Sequence, residues 1–159
     1  MNRIVVIIYL ILLLISPSFP YDNNKQAEEV NEYLKRYLCI GFLDHKTGTS
    51  LIGYARTLMN NNTHELFVGL GTLFTMFTLS VGWKYYFNDS PLQVYSVFAV
   101  QGISGMGGSL TAPFISLGFE KILTKKLYLN LGVNLFIRIY SNKSTELVTY
   151  PNININMRY

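Results

Sequence analysis

Three neighbouring residues have the side-chain types of a hydrolase or acyltransferase site. Asp44 precedes His45, and Ser50 follows a few residues later. A hydroxyl nucleophile needs a histidine base within hydrogen-bond distance, and that histidine needs an acid to orient it. The sequence shows only that the three residues are near one another along the chain, so we treat them as candidates for catalysis.

Other kinds of chemistry are not indicated. The formal net charge of +4 is too small and too dispersed to suggest a nucleic-acid partner. The sequence has no His/Cys cluster with metal-ligand spacing and no phosphate-binding loop, so we expect neither a metal nor a cofactor. Its single cysteine, Cys39, excludes an intrachain disulfide. Half of the residues are hydrophobic and only 14% are charged, which is unusual for a secreted soluble domain.

The elements that must position these residues are strands, because apolar and polar side chains alternate over two long runs. From Leu127 to Ile139 every odd position is apolar, while the even positions carry mainly Asn, Gly and Tyr. The alternation returns from Leu147 to Tyr159. A period of two predicts β-structure. Such strands, with one apolar face, one face of amides and tyrosines, and an aromatic residue at the end, resemble the closing strands of bacterial outer-membrane β-barrels.

The first residues have the pattern of an export signal. Arg3 precedes an apolar run over residues 4–15, and small residues follow it. We expect residues 1–18 to be a cleaved signal peptide, with a retained membrane anchor as the alternative. Helix-like spacing of apolar residues in the next segment, 19–37, predicts either a short amphipathic helix or a polar lead-in.

The remainder divides into eight extended segments separated mostly by turn residues. Their approximate spans are 38–44, 50–59, 64–75, 78–88, 93–105, 111–123, 127–140 and 147–159. Between the third and fourth, parity predicts a hairpin with Met76 and Phe77 in the turn and Phe74 opposite Leu79. The facing of segments 50–59 and 93–105 stays open. The pattern predicts an all-β, eight-stranded antiparallel up-and-down transmembrane barrel over residues 38–159.

The composition of the polar faces favours a crowded lumen over a solvated exterior. Small residues, amides and tyrosines predominate there, whereas a water-facing surface would carry more Lys, Glu and Asp. With both termini in the periplasm, four aromatic residues collect at the periplasmic rim and form a membrane-interface girdle. These residues are Tyr85, Phe87, Phe119 and Tyr159.

The same register predicts a charge network inside the barrel. Lys84, Glu120 and Arg158 lie at a similar low depth, and we expect Glu120 to neutralise Arg158, with Lys84 as a second partner. Arg138 lies near the outer end of the lumen, and the sequence is compatible with two roles for it: packing of the lumen and binding of an anion. Asp44, His45 and Ser50 would lie at the extracellular rim, where lipid A acyltransferases and deacylases of similar size keep His, Ser and acid sets.

The resemblance implies Sec-type export to the bacterial outer membrane, contact with outer-membrane lipid and a structural or envelope-integrity role. It also implies insertion by the β-barrel assembly machinery, which recognises the last strand through Ile153, Ile155, Met157 and Tyr159. A barrel of eight strands is filled by its own side chains, so no pore is expected. One alternative is an outer-leaflet lipid-modifying enzyme, and a second is a secreted lipocalin-like ligand-binding barrel. The sequence gives no oligomeric state.

Overall fold

Eight strands close into an antiparallel barrel, in which each strand pairs with the next and β8 pairs with β1. The structure is a computed structural model that describes residues 36–61, 63–105, 108–139 and 145–159. The strands are β1 (Arg36–Phe42), β2 (Ile52–Asn60), β3 (His64–Leu73), β4 (Met76–Tyr86), β5 (Leu92–Gly105), β6 (Gly108–Thr124), β7 (Leu127–Ile139) and β8 (Thr145–Arg158). The predicted all-β, eight-stranded antiparallel up-and-down barrel is confirmed. We call the end where β1 begins and β8 ends the lower end, and the opposite end the upper end.

Two sequence predictions lie outside this description. The predicted signal peptide falls wholly outside the described residues, as does nearly all of the segment 19–37. Within the described part of the chain, no helix is long and apolar enough to cross a membrane.

Side-chain alternation assigns each strand one face inside and one outside. On β4, Ser80 is fully buried in the lumen whereas its neighbour Leu79 is 54% exposed on the outer surface. The structure also shows which side chains face inward on β2 and β5, the two strands for which the sequence left this open. On β5, Val97 faces inward and Phe98 outward, and on β2, Ala55 faces inward.

The β3–β4 hairpin differs from its predicted register. Its turn consists of Phe74 and Thr75, and Leu70 lies opposite Leu79, so the predicted turn at Met76 and Phe77 is wrong. The turn moves by two residues, and an even shift leaves every side chain on its predicted face. Phe74 has a positive φ of 53° and is 86% exposed. Positive φ at a central turn residue is typical of two-residue hairpins, because it matches the twist of the flanking strands.

The connection between β1 and β2 folds into the barrel, and we call residues 43–51 the inward loop. Asp44, His45, Lys46 and Ser50 are each at most 2% exposed. Gly48 makes this path possible because its φ is +75° and a Cβ atom there would collide with the side-chain oxygen of Gln101. The expected position of the loop residues at the extracellular rim is therefore wrong, since the loop turns down into the lumen.

Candidate functional site

The inward faces of β3 and β4 leave room for the inward loop and bind its backbone. A Cβ atom at Gly69 would collide with the carbonyl oxygen of Lys46, so glycine there allows the two backbones to approach. The hydroxyl of Ser80 donates to that same carbonyl. Thr78 donates through Oγ1 to the carbonyl oxygen of Thr47 at 2.6 Å. Small and hydroxyl-bearing residues on the inward faces thus form the seat of the loop.

Asp44 determines the shape of the loop. Its Oδ1 accepts hydrogen bonds from the backbone N–H groups of Lys46 and Thr47, the latter at 3.0 Å. Carboxylate capping of nearby backbone N–H groups is typical of Asx turns. Further along the loop, Thr49 N donates to Gln101 Oε1 on β5 at 3.0 Å. Asn134 on β7 donates to the carbonyl oxygen of Leu43 at 2.8 Å, so the loop is tied to both sides of the barrel.

Two buried ion pairs lie in the lumen, and one of them is formed by Lys46 of the loop. Lys46 Nζ is 2.6 Å from Glu65 Oε1, and Lys84 Nζ is 2.7 Å from Glu120 Oε2. The hydroxyl of Tyr86 connects the pairs, because its oxygen is 3.2 Å from Glu65 Oε2 and 3.1 Å from Glu120 Oε1. Thr57 donates a further hydrogen bond to Glu65. Each carboxylate therefore has a lysine as its cation, Glu65 has the Thr57 hydroxyl as a donor as well, and the single proton of the Tyr86 hydroxyl is available to either carboxylate.

His45 completes this network from the loop side. Its Nε2 lies 3.2 Å from Lys84 Nζ, and its ring centroid is 4.7 Å from that of Tyr95. Burial, together with the positive charges of Lys84 and Lys46, holds the pKa of His45 well below its usual range. The neutral imidazole can therefore accept a hydrogen bond from the Lys84 ammonium.

The catalytic candidates are close in space, but they contact different partners. Ser50 Oγ is 2.6 Å from Thr47 Oγ1, Asp44 holds loop backbone, and His45 contacts Lys84 and Tyr95. A nucleophile and base of this kind must bond to each other and reach the substrate. These residues are enclosed in the lumen, where they hold the loop in place.

The predicted lumen charges have different surroundings. Glu120 has Lys84 as an ion-pair partner. Arg158 is half-buried at the lower end of β8, opposite Tyr37 on β1. The side chain of Arg138 lies outside the described part of the structure. Sequence reasoning missed Lys46 and Glu65, which the loop and β3 bring together.

A second polar region follows β7 and β8 and has no comparable partners. Asn130, Asn154 and Asn156 are at most 1% exposed, and neither the Nδ2 nor the Oδ1 atom of any of them has a hydrogen-bond partner in the described structure. Asn130 and Asn154 lie directly opposite each other. Asn152 differs, because its Nδ2 donates to Ser116 Oγ at 3.0 Å and to Asn134 Oδ1 at 2.7 Å. We call Asn130, Asn154 and Asn156 the asparagine side of the lumen; their amides can solvate water or small polar groups.

The outer surface is a continuous apolar belt. Its members include Ile40, Leu70, Leu79, Val81, Trp83, Phe98, Val100, Leu117, Val133, Ile153, Ile155 and Met157, all at least 41% exposed. Towards the lower end, Phe87, Phe119 and Tyr159 are 58%, 49% and 59% exposed, and Tyr85 packs edge-on against Phe87 with ring centroids 5.0 Å apart. The predicted interface aromatics thus lie on the outer surface.

The matches to known proteins are distant and come from solved structures. No protein-family model matches the chain, and no curated protein sequence matches it significantly. Among solved structures it is similar to Neisserial surface protein A, with 12% identity over 80% of this chain and 96% of that one and a TM-score of 0.49. It is also similar to the N-terminal β-barrel domain of Pseudomonas aeruginosa OprF, with 16% identity over 79% of this chain and 95% of that one and a TM-score of 0.49. A third match is Ail, the attachment invasion locus protein of Yersinia pestis, with 9% identity over 79% of this chain and 95% of that one and a TM-score of 0.39.

Proposed function

We propose that this protein is a small outer-membrane barrel with a structural role in the cell envelope, closed by its own inward loop. The observation that carries the proposal is the distribution of polarity. Large apolar side chains cover the outside, whereas lysine and glutamate pairs lie inside. A water-soluble barrel needs the reverse, because an exposed apolar surface of this extent would aggregate.

The orientation proposed for the barrel places its lower end in the periplasm after Sec-type export. This orientation puts Phe87, Phe119 and Tyr159 at the periplasmic membrane interface, where aromatic residues are favoured. It also exposes the short β3–β4 turn, with Phe74 at its tip, on the extracellular side. A secreted lipocalin-like barrel is not favoured, because its apolar residues would face the lumen.

The first test of the proposal is cellular location. We expect the protein to fractionate with the outer membrane and to migrate differently on gels when unheated, since a closed barrel resists detergent. Recovery of the protein as a soluble periplasmic species would refute the membrane assignment.

The second test concerns closure of the lumen. In planar bilayers we expect the intact barrel to conduct little, because the inward loop and its ion pairs occupy the interior. Replacing residues 44–49 by two glycines should raise the conductance, whereas Lys125→Gln/Lys126→Gln, which alters only an exposed turn, should not. Large conductance by the unaltered protein would show that the loop does not close the lumen.

An outer-leaflet lipid-modifying enzyme is the less favoured function, since His45 and Ser50 are enclosed and do not bond to each other. Lipid A profiling by mass spectrometry, with and without the protein, distinguishes the two functions. We expect identical profiles, and a changed number of acyl chains would favour the enzyme.

A further inference from the structure

Two arginines lie side by side on the apolar outer surface at the lower end. Arg36 on β1 is directly opposite Arg56 on β2, and alternation on both strands turns their side chains away from the lumen. Directly opposed residues of antiparallel strands have Cβ atoms about 4.5–5.5 Å apart. The two guanidinium groups therefore emerge from neighbouring points on the same face.

The surroundings of this arginine pair are mainly apolar, and on the β8 side Tyr159 borders Arg36, to whose carbonyl oxygen it donates its backbone N–H at 3.1 Å. Val68 lies beside Arg56 on β3, Leu38 and Tyr54 form the next cross-strand pair above, and Leu58 is 49% exposed below. The Nε atom of Arg56 is buried and has no hydrogen-bond partner in the described structure. Among the described residues, this neighbourhood gives the Arg56 guanidinium little access to neutralising groups.

No carboxylate of the described residues forms an ion pair with either arginine. Asp44, Glu65 and Glu120 face the lumen, where Glu65 pairs with Lys46 and Glu120 pairs with Lys84. Asp89 belongs to the β4–β5 turn, and Glu146 lies on β8 near the upper end, opposite Arg138. Two like charges directly opposite each other destabilise a sheet, and a cation on a lipid-facing surface adds a further cost.

We propose that the arginine pair binds the phosphate group of a membrane phospholipid. Planar guanidinium groups match phosphate oxygens with paired hydrogen bonds, and one phosphate placed between the two arginines would neutralise both. The acyl chains of the same lipid would cover Leu38, Tyr54 and Val68. The inference rests on the proposed membrane location, which places this face against the leaflet that holds such lipids.

Native mass spectrometry of the full chain in a phosphate-free detergent tests the site. The probes are phosphatidylglycerol, a diacylglycerol that lacks phosphate, and inorganic phosphate alone. We expect the unaltered protein to retain phosphatidylglycerol about tenfold more than diacylglycerol, as charge-assisted hydrogen bonds imply. Arg36→Gln/Arg56→Gln should abolish that preference. Lys125→Gln/Lys126→Gln, which removes the same charge from the exposed lower turn, should preserve it.

Each other outcome overturns the inference. Equal retention of phosphatidylglycerol by the arginine variant would show that the pair is not the site, and equal retention of both lipids by the unaltered protein would show that phosphate is not recognised. If inorganic phosphate alone were retained as well as phosphatidylglycerol, the site would be one for free phosphate and not for a lipid. Heat-dependent gel mobility verifies that each variant is folded. Outer-membrane fractionation is scored separately, so loss of lipid selectivity in a correctly located barrel rejects this inference without rejecting the proposed function.

Discussion

The inward-loop side and the asparagine side of the lumen are equally buried and both polar, but they differ in how their polar groups are satisfied. On the loop side, Glu65 has a lysine, a threonine and a tyrosine as partners. On the asparagine side, Asn154 has no hydrogen-bond partner in the described structure. The contrast teaches that burial alone does not identify the residues on which stability depends. The partners of a buried polar group decide the cost of removing it.

The largest expected effect is at Lys46. Lys46→Met leaves Glu65 as an uncompensated buried charge and should lower the free energy of unfolding by about 3–5 kcal/mol. Urea titration in phospholipid vesicles measures the change. Lys126→Met, at an exposed turn lysine, is the matched control and should be nearly silent. Adding Glu65→Gln to Lys46→Met should recover part of the loss, and a silent Lys46→Met variant would contradict the claim that this pair holds the loop.

A second prediction concerns the outer surface of β7, whose inward face carries Asn130 of the asparagine side. Val133 is 44% exposed on β7, so Val133→Arg should cost about 2–4 kcal/mol if that residue meets lipid near the middle of the membrane. Val133→Leu keeps the surface apolar and should change the unfolding free energy little. Equal tolerance of arginine and leucine in the same vesicle titration would mean that this face does not contact lipid.

Gly69 provides the third prediction. Gly69→Ala places a methyl group against the Lys46 carbonyl, and such overpacking should cost about 1–3 kcal/mol. The position of the loop can be followed by the protease sensitivity of residues 43–51, which should rise. Gly102→Ala is the control, because the nearest atom to its new Cβ is a carbonyl oxygen 4.0 Å away. Identical behaviour of the two variants would show that Gly69 is not part of the loop seat.

The smallest expected effect is on the asparagine side. Asn154→Leu removes an amide that has no partner in the described structure, so the free energy of unfolding should change by less than about 1 kcal/mol. Asn152→Leu, two residues away on the same face, breaks bonds to Ser116 and Asn134 and should cost about 1–3 kcal/mol. A large loss for Asn154→Leu would mean that its amide is firmly bound by water or a ligand.

The barrel itself was predictable from the sequence because alternation is a local signal. In β7, the odd positions are apolar and the even positions are mainly polar, and this pattern predicts which side chains face the lumen. The structure agrees, since Val133 lies on the outer surface and Asn134 in the lumen. The turn of the β3–β4 hairpin was not predictable in the same way. Moving the turn from Met76 and Phe77 to Phe74 and Thr75 preserves every face, so alternation does not distinguish the two registers.

The inward loop was harder to predict, since turn residues show where a strand ends but not where the loop then goes. A signal was nevertheless present on β3, where Gly69 and Gly71 occupy the inward face while Val68 and Leu70 occupy the outward face. Missing side chains on a lumen face leave space that something must fill. Lys46 pairs with Glu65 because the loop turns into the lumen. Their separation of 19 residues along the chain gave no indication of this pairing.

The attachment of the inward loop also bears on the order of folding. The hydrogen bond from Asn134 to the carbonyl oxygen of Leu43 joins residues 91 positions apart, and the bond from Thr49 N to Gln101 Oε1 spans 52. Contacts of such long range require most of the chain to be arranged before they form. The loop therefore settles only when the strands on both sides of it have come together. We therefore expect barrel closure and loop insertion to be one late, cooperative event, in which Asn134 of β7 secures the first loop of the chain.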